Sequence, residues 1–191
     1  MAEHVCPVWI GYLLASPLRK LFQNPDKILS PWVREGMTVL DVGCAMGFFT
    51  LPLARMVGPS GKVVCIDLQE KMIQALSRRA RKADLLDRID ARICPSDSLG
   101  LADLNGQIDF TLLMAVVHEV PDPDRLFAEL EPALKSTGRL LLAEPRGHVT
   151  EAEFDATLAL AHQSGIGVVD TLQIRQSHAA LLERAEELQG E

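Results

Sequence analysis

Residues 39–50 read Val39-Leu40-Asp41-Val42-Gly43-Cys44-Ala45-Met46-Gly47-Phe48-Phe49-Thr50. The first four residues have the apolar character of a buried strand, a glycine turn follows, and an apolar helical pattern begins after it. Residues 63–67, Val63-Val64-Cys65-Ile66-Asp67, form a second apolar run that ends in a carboxylate. This order of strand, glycine turn, helix and acidic-ended strand is typical of a nucleoside-binding βαβ unit.

The glycines and the second acidic residue have separate physical roles in such a unit. A side chain at Gly43 or Gly47 would hold the backbone away from a ligand or require an unfavourable φ. Asp67 lies about twenty residues beyond the turn, where a carboxylate can accept two hydrogen bonds from a ribose diol. A nucleoside cofactor is therefore the first hypothesis. A bare strand-turn-helix of another α/β protein is the alternative for the glycine turn taken alone.

The spacing of the glycines distinguishes between nucleoside cofactors. A dinucleotide fingerprint has the form G-x-G-x-x-G, whose third glycine lets helix and strand pack closely beside a pyrophosphate. Phe48 occupies that third position here. Asp41 instead precedes Gly43, Ala45 and Gly47 at alternate positions. This acidic-x-G-x-G-x-G spacing, with Ala45 in place of the middle glycine, resembles motif I of the class I S-adenosylmethionine-dependent methyltransferases.

The pattern of strands and helices predicts a single doubly wound α/β sheet, seven-stranded and mostly parallel, with helices before it. The predicted strands span residues 38–42, 63–67, 90–94, 108–114 and 138–144, followed by an antiparallel pair at 168–174 and 179–183. The predicted helices span residues 8–22, 25–33, 48–57, 69–83, 123–134 and 151–163. This order is similar to the Rossmann-like methyltransferase fold. We expect an N-terminal helical segment at residues 1–36 and a methyltransferase domain at 37–191.

Two later segments extend the resemblance. Residues 94–99 resemble the family's loop after the third strand, where an acidic side chain, here Asp97, faces the adenine amino group. Residues 110–145 are most similar to the ubiquinone/menaquinone biosynthesis methyltransferase type. His118-Glu119 stands where many members have paired histidines, and Ser136-Thr137 replaces the usual Pro-Gly turn. The resemblance implies S-adenosyl-L-methionine as cofactor, held by Asp41, Gly43, Cys44, Ala45, Gly47, Asp67, Leu68, Asp97, Ser98 and Met114.

Residues after the fourth and fifth strands are candidates for the acceptor side. An acceptor that keeps its proton needs a base within hydrogen-bond reach, and His118 is the first candidate because its ordinary pKa lies near neutrality. Glu119 is the second catalytic candidate, or acts by orienting the histidine. Glu144 and His148 are expected to line the acceptor pocket. The structural alternative is that these side chains only cap or cover surface loops.

Composition limits the class of partner. The net charge of −7 opposes a nucleic-acid substrate, because phosphate binding relies on Lys and Arg. Aromatic residues make up only 5% of the chain, so no base-stacking platform is indicated. The four cysteines have no metal-like spacing, and we predict no metal site and a reducing, cytoplasmic location. A small-molecule acceptor is expected, and homodimer formation stays open.

The apolar segment 5–18 precedes the predicted sheet. It is too short, and too interrupted by Pro7, Gly11 and Pro17, to span a bilayer. Three interpretations remain for it, namely a helix packed on the sheet, a lid over the acceptor, or a membrane-surface or dimer contact. We favour the lid, in which Trp9 and Tyr12 lie about one helical turn apart and face the acceptor.

The sequence as a whole predicts an S-adenosylmethionine-dependent transferase acting on a small, hydrophobic or uncharged acceptor. A nicotinamide-dependent oxidoreductase is the rival enzyme, and Phe48 opposes it. A catalytically inactive methyltransferase fold that serves as a binding module is the rival without enzymatic activity. The intact acidic and glycine residues of the cofactor motifs argue against that second rival.

Overall fold

The computed structural model describes residues 23–185. Its strands are β1 Thr38–Val42, β2 Lys62–Asp67, β3 Ile89–Ile93, β4 Ile108–Met114, β5 Leu134–Pro145, β6 Ile166–Thr171 and β7 Ser177–Arg184. Its α-helices are α1 Pro25–Leu29, α2 Thr50–Met56, α3 Glu70–Lys82, α4 Pro123–Ala133 and α5 Glu151–Gln163. The strands form one seven-stranded sheet in the order β3-β2-β1-β4-β5-β7-β6. The predicted mostly parallel α/β sheet is therefore confirmed.

The strand order places a crevice at the centre of the sheet. β1 pairs in parallel with β2 on one side and with β4 on the other. The chain order reverses between β1 and β4, and open α/β sheets bind ligands outside the carboxyl ends of the strands at such a point. β7 pairs antiparallel with both β5 and β6, as predicted for the last two strands.

The fifth strand begins earlier than its predicted start at Gly138. It starts at Leu134, directly after α4, so Ser136-Thr137 lies within the strand. The partner of Ile108 is Leu134, whereas the partner of Phe110 is Arg139, so β5 is irregular at its start. A Cβ on Gly138 would lie 2.8 Å from the Ile108 carbonyl oxygen, and this close approach requires glycine. The bulged strand replaces the expected turn.

The segment before the sheet is partly described. α1 begins at Pro25, and the Asn24 side chain accepts hydrogen bonds from the Asp26 and Lys27 amides, as its capping role predicts. The helix ends at Leu29, earlier than the predicted Val33, because Pro31 has no N–H with which to continue the helical hydrogen bonds. Leu29 and Val33 are buried in the core beside the sheet. Trp9, Tyr12 and the helix predicted at residues 8–22 lie outside the described residues.

No helix within residues 23–185 is both long enough and apolar enough to cross a membrane. The core of the described chain consists of two apolar layers, one on each face of the sheet. The central strands are buried on both faces, as expected for parallel strands covered by helices.

The glycine turn after β1 packs against the loop after β4. The amides of Gly43 and Cys44 both donate to the Ile66 carbonyl oxygen, which fixes the turn beside β2. Gly43 has a φ of 69°, and a Cβ there would lie 2.6 Å from Val116 Cγ2. The close approach at Gly43 is thus to the neighbouring loop of the protein. Glycine is needed both for the left-handed φ and for this contact.

We expect Gly43→Ala to destabilise the protein more than Gly106→Ala. Both glycines have left-handed φ values, but a Cβ on Gly106 would meet nothing within 4 Å. The control therefore carries only the conformational cost, about 1–2 kcal/mol, and Gly43→Ala adds an overpacking cost of about 1–3 kcal/mol. Urea denaturation measures both free energies of unfolding. Equal losses in the two variants would show that the contact with Val116 adjusts without cost.

Candidate active site

A cavity of about 1040 Å³ opens at the carboxyl ends of β1, β2 and β4. This volume is at the upper end of the range for small-molecule sites, about 300–1,000 Å³. The sequence-predicted residues on its wall are Asp41, Gly43, Cys44, Ala45, Asp67, Leu68, Asp97, Ser98, Met114, His118, Glu119 and His148. The structure therefore brings most of the predicted cofactor and acceptor residues to one cavity.

Two predicted site residues are placed differently. Gly47 does not line the cavity, and a Cβ there would lie 3.1 Å from Leu76 on α3. Its φ of 80° shapes the end of the turn, and its role towards the cofactor stays a prediction. Glu144 lies behind the wall, with its side chain only 1% exposed, and it does not line the acceptor pocket as expected.

Asp67, at the end of β2, ties the glycine turn to the start of α3. Its Oδ2 atom accepts a hydrogen bond from the Ala45 amide at 2.9 Å, and its Oδ1 atom accepts one from the Gln69 amide at 2.8 Å. Burial raises the pKa of Asp67, and the two amide donors oppose this shift. Each carboxylate oxygen has a second lone pair, so both can still accept from a ligand diol.

Asp41, at the end of β1, is buried beside Asp67. Its Oδ2 atom accepts a hydrogen bond from the Thr50 hydroxyl at 2.6 Å. The pKa of Asp41 is raised to about 7, chiefly by burial; the Thr50 hydrogen bond opposes this shift and the charge of Asp67 adds to it. Two adjacent buried carboxylates fit a ligand with cationic groups and a diol. They disfavour an anionic pyrophosphate at this place.

Cys44 gives the turn a neutral thiol on the cavity wall. A hydrogen bond with Cys65 and burial both raise the pKa of the Cys44 thiol, so it stays protonated and acts as a small apolar group. The side chains of Leu68 and Met114 add apolar surface to the same wall. Within residues 23–185, no group of three or more His, Cys, Asp or Glu side chains has a metal-binding arrangement.

Glu129 on α4 holds the loop after β3. Its Oε2 atom accepts hydrogen bonds from the Ser98 hydroxyl at 3.0 Å and from the Leu99 amide at 2.8 Å. The loop held in this way carries the exposed Asp97, which lies on the cavity wall. Sequence reasoning missed Glu129, because its spacing from Arg125 is that of an ordinary surface ion pair on a helix.

The acceptor side is built from the loop after β4 and the end of β5. The Glu144 carboxylate accepts hydrogen bonds from the Val116 amide at 3.2 Å and the Val117 amide at 2.7 Å through Oε1. Its Oε2 atom makes a short hydrogen bond with His118 Nδ1. This hydrogen bond raises the pKa of His118, while partial burial opposes the charged form. Glu144 is therefore a hydrogen-bond partner that orients the His118 ring.

His148 completes this side of the cavity. The centroids of the His118 and His148 rings are 5.6 Å apart, so the segment after β5 brings a second imidazole to the first. Glu119 lies on the cavity wall and adds a weaker electrostatic contribution to the raised pKa of His118. The structure thus assembles all the predicted acceptor-side residues of its described part, with Glu144 behind His118.

The sequence model of one protein family, described as a methyltransferase domain, matches residues 33–186. The chain therefore belongs to the methyltransferase domain family. The buried carboxylates and the glycine turn fit the S-adenosylmethionine cofactor that the sequence predicts. The rival function predicted from the sequence, a nicotinamide-dependent oxidoreductase, is not favoured by this family match.

Curated relatives align with part of the chain. Demethylmenaquinone methyltransferase of Lactobacillus johnsonii is 30% identical over 112 residues, which are 59% of this chain and 45% of the relative. Ubiquinone/menaquinone biosynthesis C-methyltransferase UbiE of Pasteurella multocida is 29% identical over 112 residues, 59% of this chain and 41% of the relative. The chain thus spans less than half the length of these relatives.

Solved structures show the same fold. A SAM-dependent methyltransferase from Aquifex aeolicus superposes with a TM-score of 0.82 at 24% identity, covering 94% of this chain and 98% of the other. A TehB-like SAM-dependent methyltransferase from Corynebacterium glutamicum has a TM-score of 0.72 at 15% identity, covering 93% and 100%. The architecture is preserved at identities that say nothing about the acceptor.

We expect S-adenosylhomocysteine to bind and NAD not to bind. Asp67→Ala removes charge-assisted hydrogen bonds worth about 1.5–3 kcal/mol each, so affinity for S-adenosylhomocysteine should fall at least about tenfold. Asp155→Ala on α5, away from the cavity, is the matched control and should bind normally. Titration calorimetry measures the affinity of the wild type and of both variants for S-adenosylhomocysteine, and it tests NAD binding by the wild type. Unchanged S-adenosylhomocysteine affinity of Asp67→Ala would show that this carboxylate does not bind the cofactor.

Proposed function

We propose that the chain transfers a methyl group from S-adenosylmethionine to a small, hydrophobic or uncharged acceptor that lies against His118. One observation supports this most directly. One cavity is lined both by Asp67 and the glycine turn and by His118 and His148. Donor and acceptor therefore have one shared space, which in-line transfer requires.

The reaction requires little chemical catalysis from the side chains of the protein. The bound cofactor supplies a methyl group on a sulfonium, which is already a good leaving group. Asp67 and the glycine turn hold the nucleoside, and Met114 and Leu68 exclude water from it. His118 also lines the cavity, where it would contact the acceptor. Alignment and exclusion of water are then the main contributions to the rate.

The nature of the acceptor is supported by charge and by the relatives. A net charge of −7 and carboxylates on the cavity wall are unfavourable for a nucleic-acid backbone. One relative is named a demethylmenaquinone methyltransferase. A hydrophobic ring compound is accordingly the acceptor class to test first. Mass spectrometry of the ligand retained on purification, followed by labelled-methyl transfer into fractionated metabolites, identifies cofactor and acceptor in turn.

His118→Ala should lower the rate of methyl transfer while leaving the cofactor site intact. Loss of a general base costs roughly 10²–10⁴ in rate. Affinity for S-adenosylhomocysteine should stay within about threefold, since His118 lies on the acceptor side. His162→Ala, at the end of α5, is the control and should turn over normally. Normal turnover by His118→Ala across neutral pH would make this residue structural.

We also propose that the chain before Asn24 covers the acceptor end of the cavity. Gln23, where the described chain begins, lies on the cavity wall. The segment after β5, residues 146–150, is short and contains no insertion that would cover the site. Trp9 and Tyr12 belong to the preceding segment and would face the acceptor. This assigns the apolar N-terminal stretch a lid function.

Deleting the residues before Asn24 should abolish turnover without removing S-adenosylhomocysteine binding, because the cofactor contacts lie beyond the deletion. Circular dichroism tests whether the truncated chain folds, and calorimetry tests binding. Trp9→Ala combined with Tyr12→Ala in the full chain should lower turnover in the same direction. A fully active truncated protein would rule out the lid, and one that does not fold would place the segment in the core.

A further inference from the structure

Glu144 is an enclosed carboxylate with three neighbouring donors. Its side chain is 1% exposed, whereas that of His118 is 22% exposed. Oε1 accepts from the amides of Val116 and Val117, which can only donate. Oε2 faces His118 Nδ1. The carboxylate therefore joins the end of β5 to the loop that carries His118, and both of its oxygens are used inside the protein.

This arrangement selects one form of the imidazole. Hydrogen bonds from amides favour an ionised carboxylate, and carboxylic acids ordinarily ionise at lower pH than imidazolium groups do. We therefore expect the shared proton on Nδ1 of His118, which donates it to Oε2. Neutral His118 then has its free lone pair on Nε2, directed away from Glu144. His118 itself lines the cavity.

We propose that Glu144 is a positioning residue that keeps the proton of His118 on Nδ1, so that Nε2 removes a proton from a weakly acidic hydroxyl of the acceptor, a phenol or an enol. The proposal rests on the proposed function. Thiols and neutral amines need little help from a base, whereas such a hydroxyl keeps its proton at neutral pH. A base held in one tautomer is useful for the hydroxyl class above all.

The proton and electron balance of the step is simple. The hydroxyl proton passes to Nε2, and the resulting imidazolium is stabilised by Glu144. The electron pair released, on oxygen or on a conjugated carbon, forms the new bond to the methyl carbon. The C–S bond of the sulfonium breaks, and its pair stays on sulfur. If oxygen forms the bond, the imidazolium then loses its proton to solvent. If carbon forms the bond, that carbon's own proton leaves to solvent, and the imidazolium returns its proton to the oxygen and restores the hydroxyl.

Other ionisable groups surround His118. Glu119 on the same loop and His148 after β5 are its near neighbours, and Asp122, Arg125 and Arg175 also lie on the cavity wall. The hydrogen bond to Glu144 is the largest cause of the raised pKa of His118. The base needs neutral His118, so activity should rise as the pH increases through this raised pKa. Without the Glu144 charge, the rise should occur at lower pH.

Glu144→Gln separates positioning from simple support. The glutamine oxygen can still accept from the Val116 and Val117 amides, which forces its NH₂ group towards His118 Nδ1. Nδ1 then becomes an acceptor, and the proton moves to Nε2, where it blocks the base. We expect methyl transfer to fall roughly 10²–10⁴-fold, with its pH dependence shifted to lower pH and with unchanged S-adenosylhomocysteine affinity. Glu183→Gln, a surface carboxylate on β7, should change none of these.

Nitrogen NMR of the full chain labelled with ¹⁵N-histidine reads the tautomer without any acceptor. The His118 signal is identified among the five histidines by its loss in His118→Ala. At a pH where the His118 ring is neutral, we expect a protonated Nδ1 and a free Nε2 in the wild type. We expect the reverse in Glu144→Gln. The same tautomer in both proteins, or a proton on Nε2 in the wild type, would overturn the positioning role.

The acceptor class is tested with ¹³C-methyl S-adenosylmethionine and a metabolite extract. The shift of the transferred carbon should identify a methyl group on oxygen, or on a carbon conjugated to a hydroxyl. Transfer to nitrogen or sulfur, or full activity of Glu144→Gln, would overturn this inference while leaving methyl transfer itself intact. Failure of the wild type to bind S-adenosylhomocysteine or to yield any methylated product would instead count against the proposed function.

Discussion

The contact between the glycine turn after β1 and the loop after β4 is the constraint on which the site depends. Gly43 allows Val116 to approach its backbone, and Val116 in turn donates its amide to Glu144. The two loops leave adjacent parallel strands at the point where the chain order reverses. Moving either loop would disturb the cofactor end and the acceptor end of the cavity together.

The two ends of the cavity are built in the same way. Asp67 at the end of β2 accepts hydrogen bonds from two backbone amides. One of them, the Ala45 amide, belongs to the loop after the neighbouring strand β1, which Asp67 thereby stabilises. Glu144 near the end of β5 accepts hydrogen bonds from two backbone amides of the loop after the neighbouring strand β4, and it thereby stabilises that loop. A buried carboxylate is stable only when such donors compensate for its lost hydration. Asp67 faces the cavity and can meet ligand, whereas Glu144 acts through His118.

Electrostatics explains why this βαβ unit suits one nucleoside cofactor and not another. Asp41 and Asp67 are buried side by side, and burial raises the pKa of both. A ligand with positive charge relieves this cost, whereas a pyrophosphate would add to it. The glycine spacing and the charge of the site therefore point in the same direction, although they arise from different residues.

The sequence was sufficient for the succession of strands and helices, the glycine turn and most of the residues that line the cavity, because strand periodicity, turn chemistry and capping are local properties. It did not reveal that Glu144 lies behind His118, or that Glu129 holds the loop at Ser98. These partners are 26 and 31 residues apart, and a side-chain pattern tells which face a residue occupies but not which loop it meets. Only the register of the packed sheet brings such groups within hydrogen-bond distance, because that register sets where each strand ends relative to its neighbour.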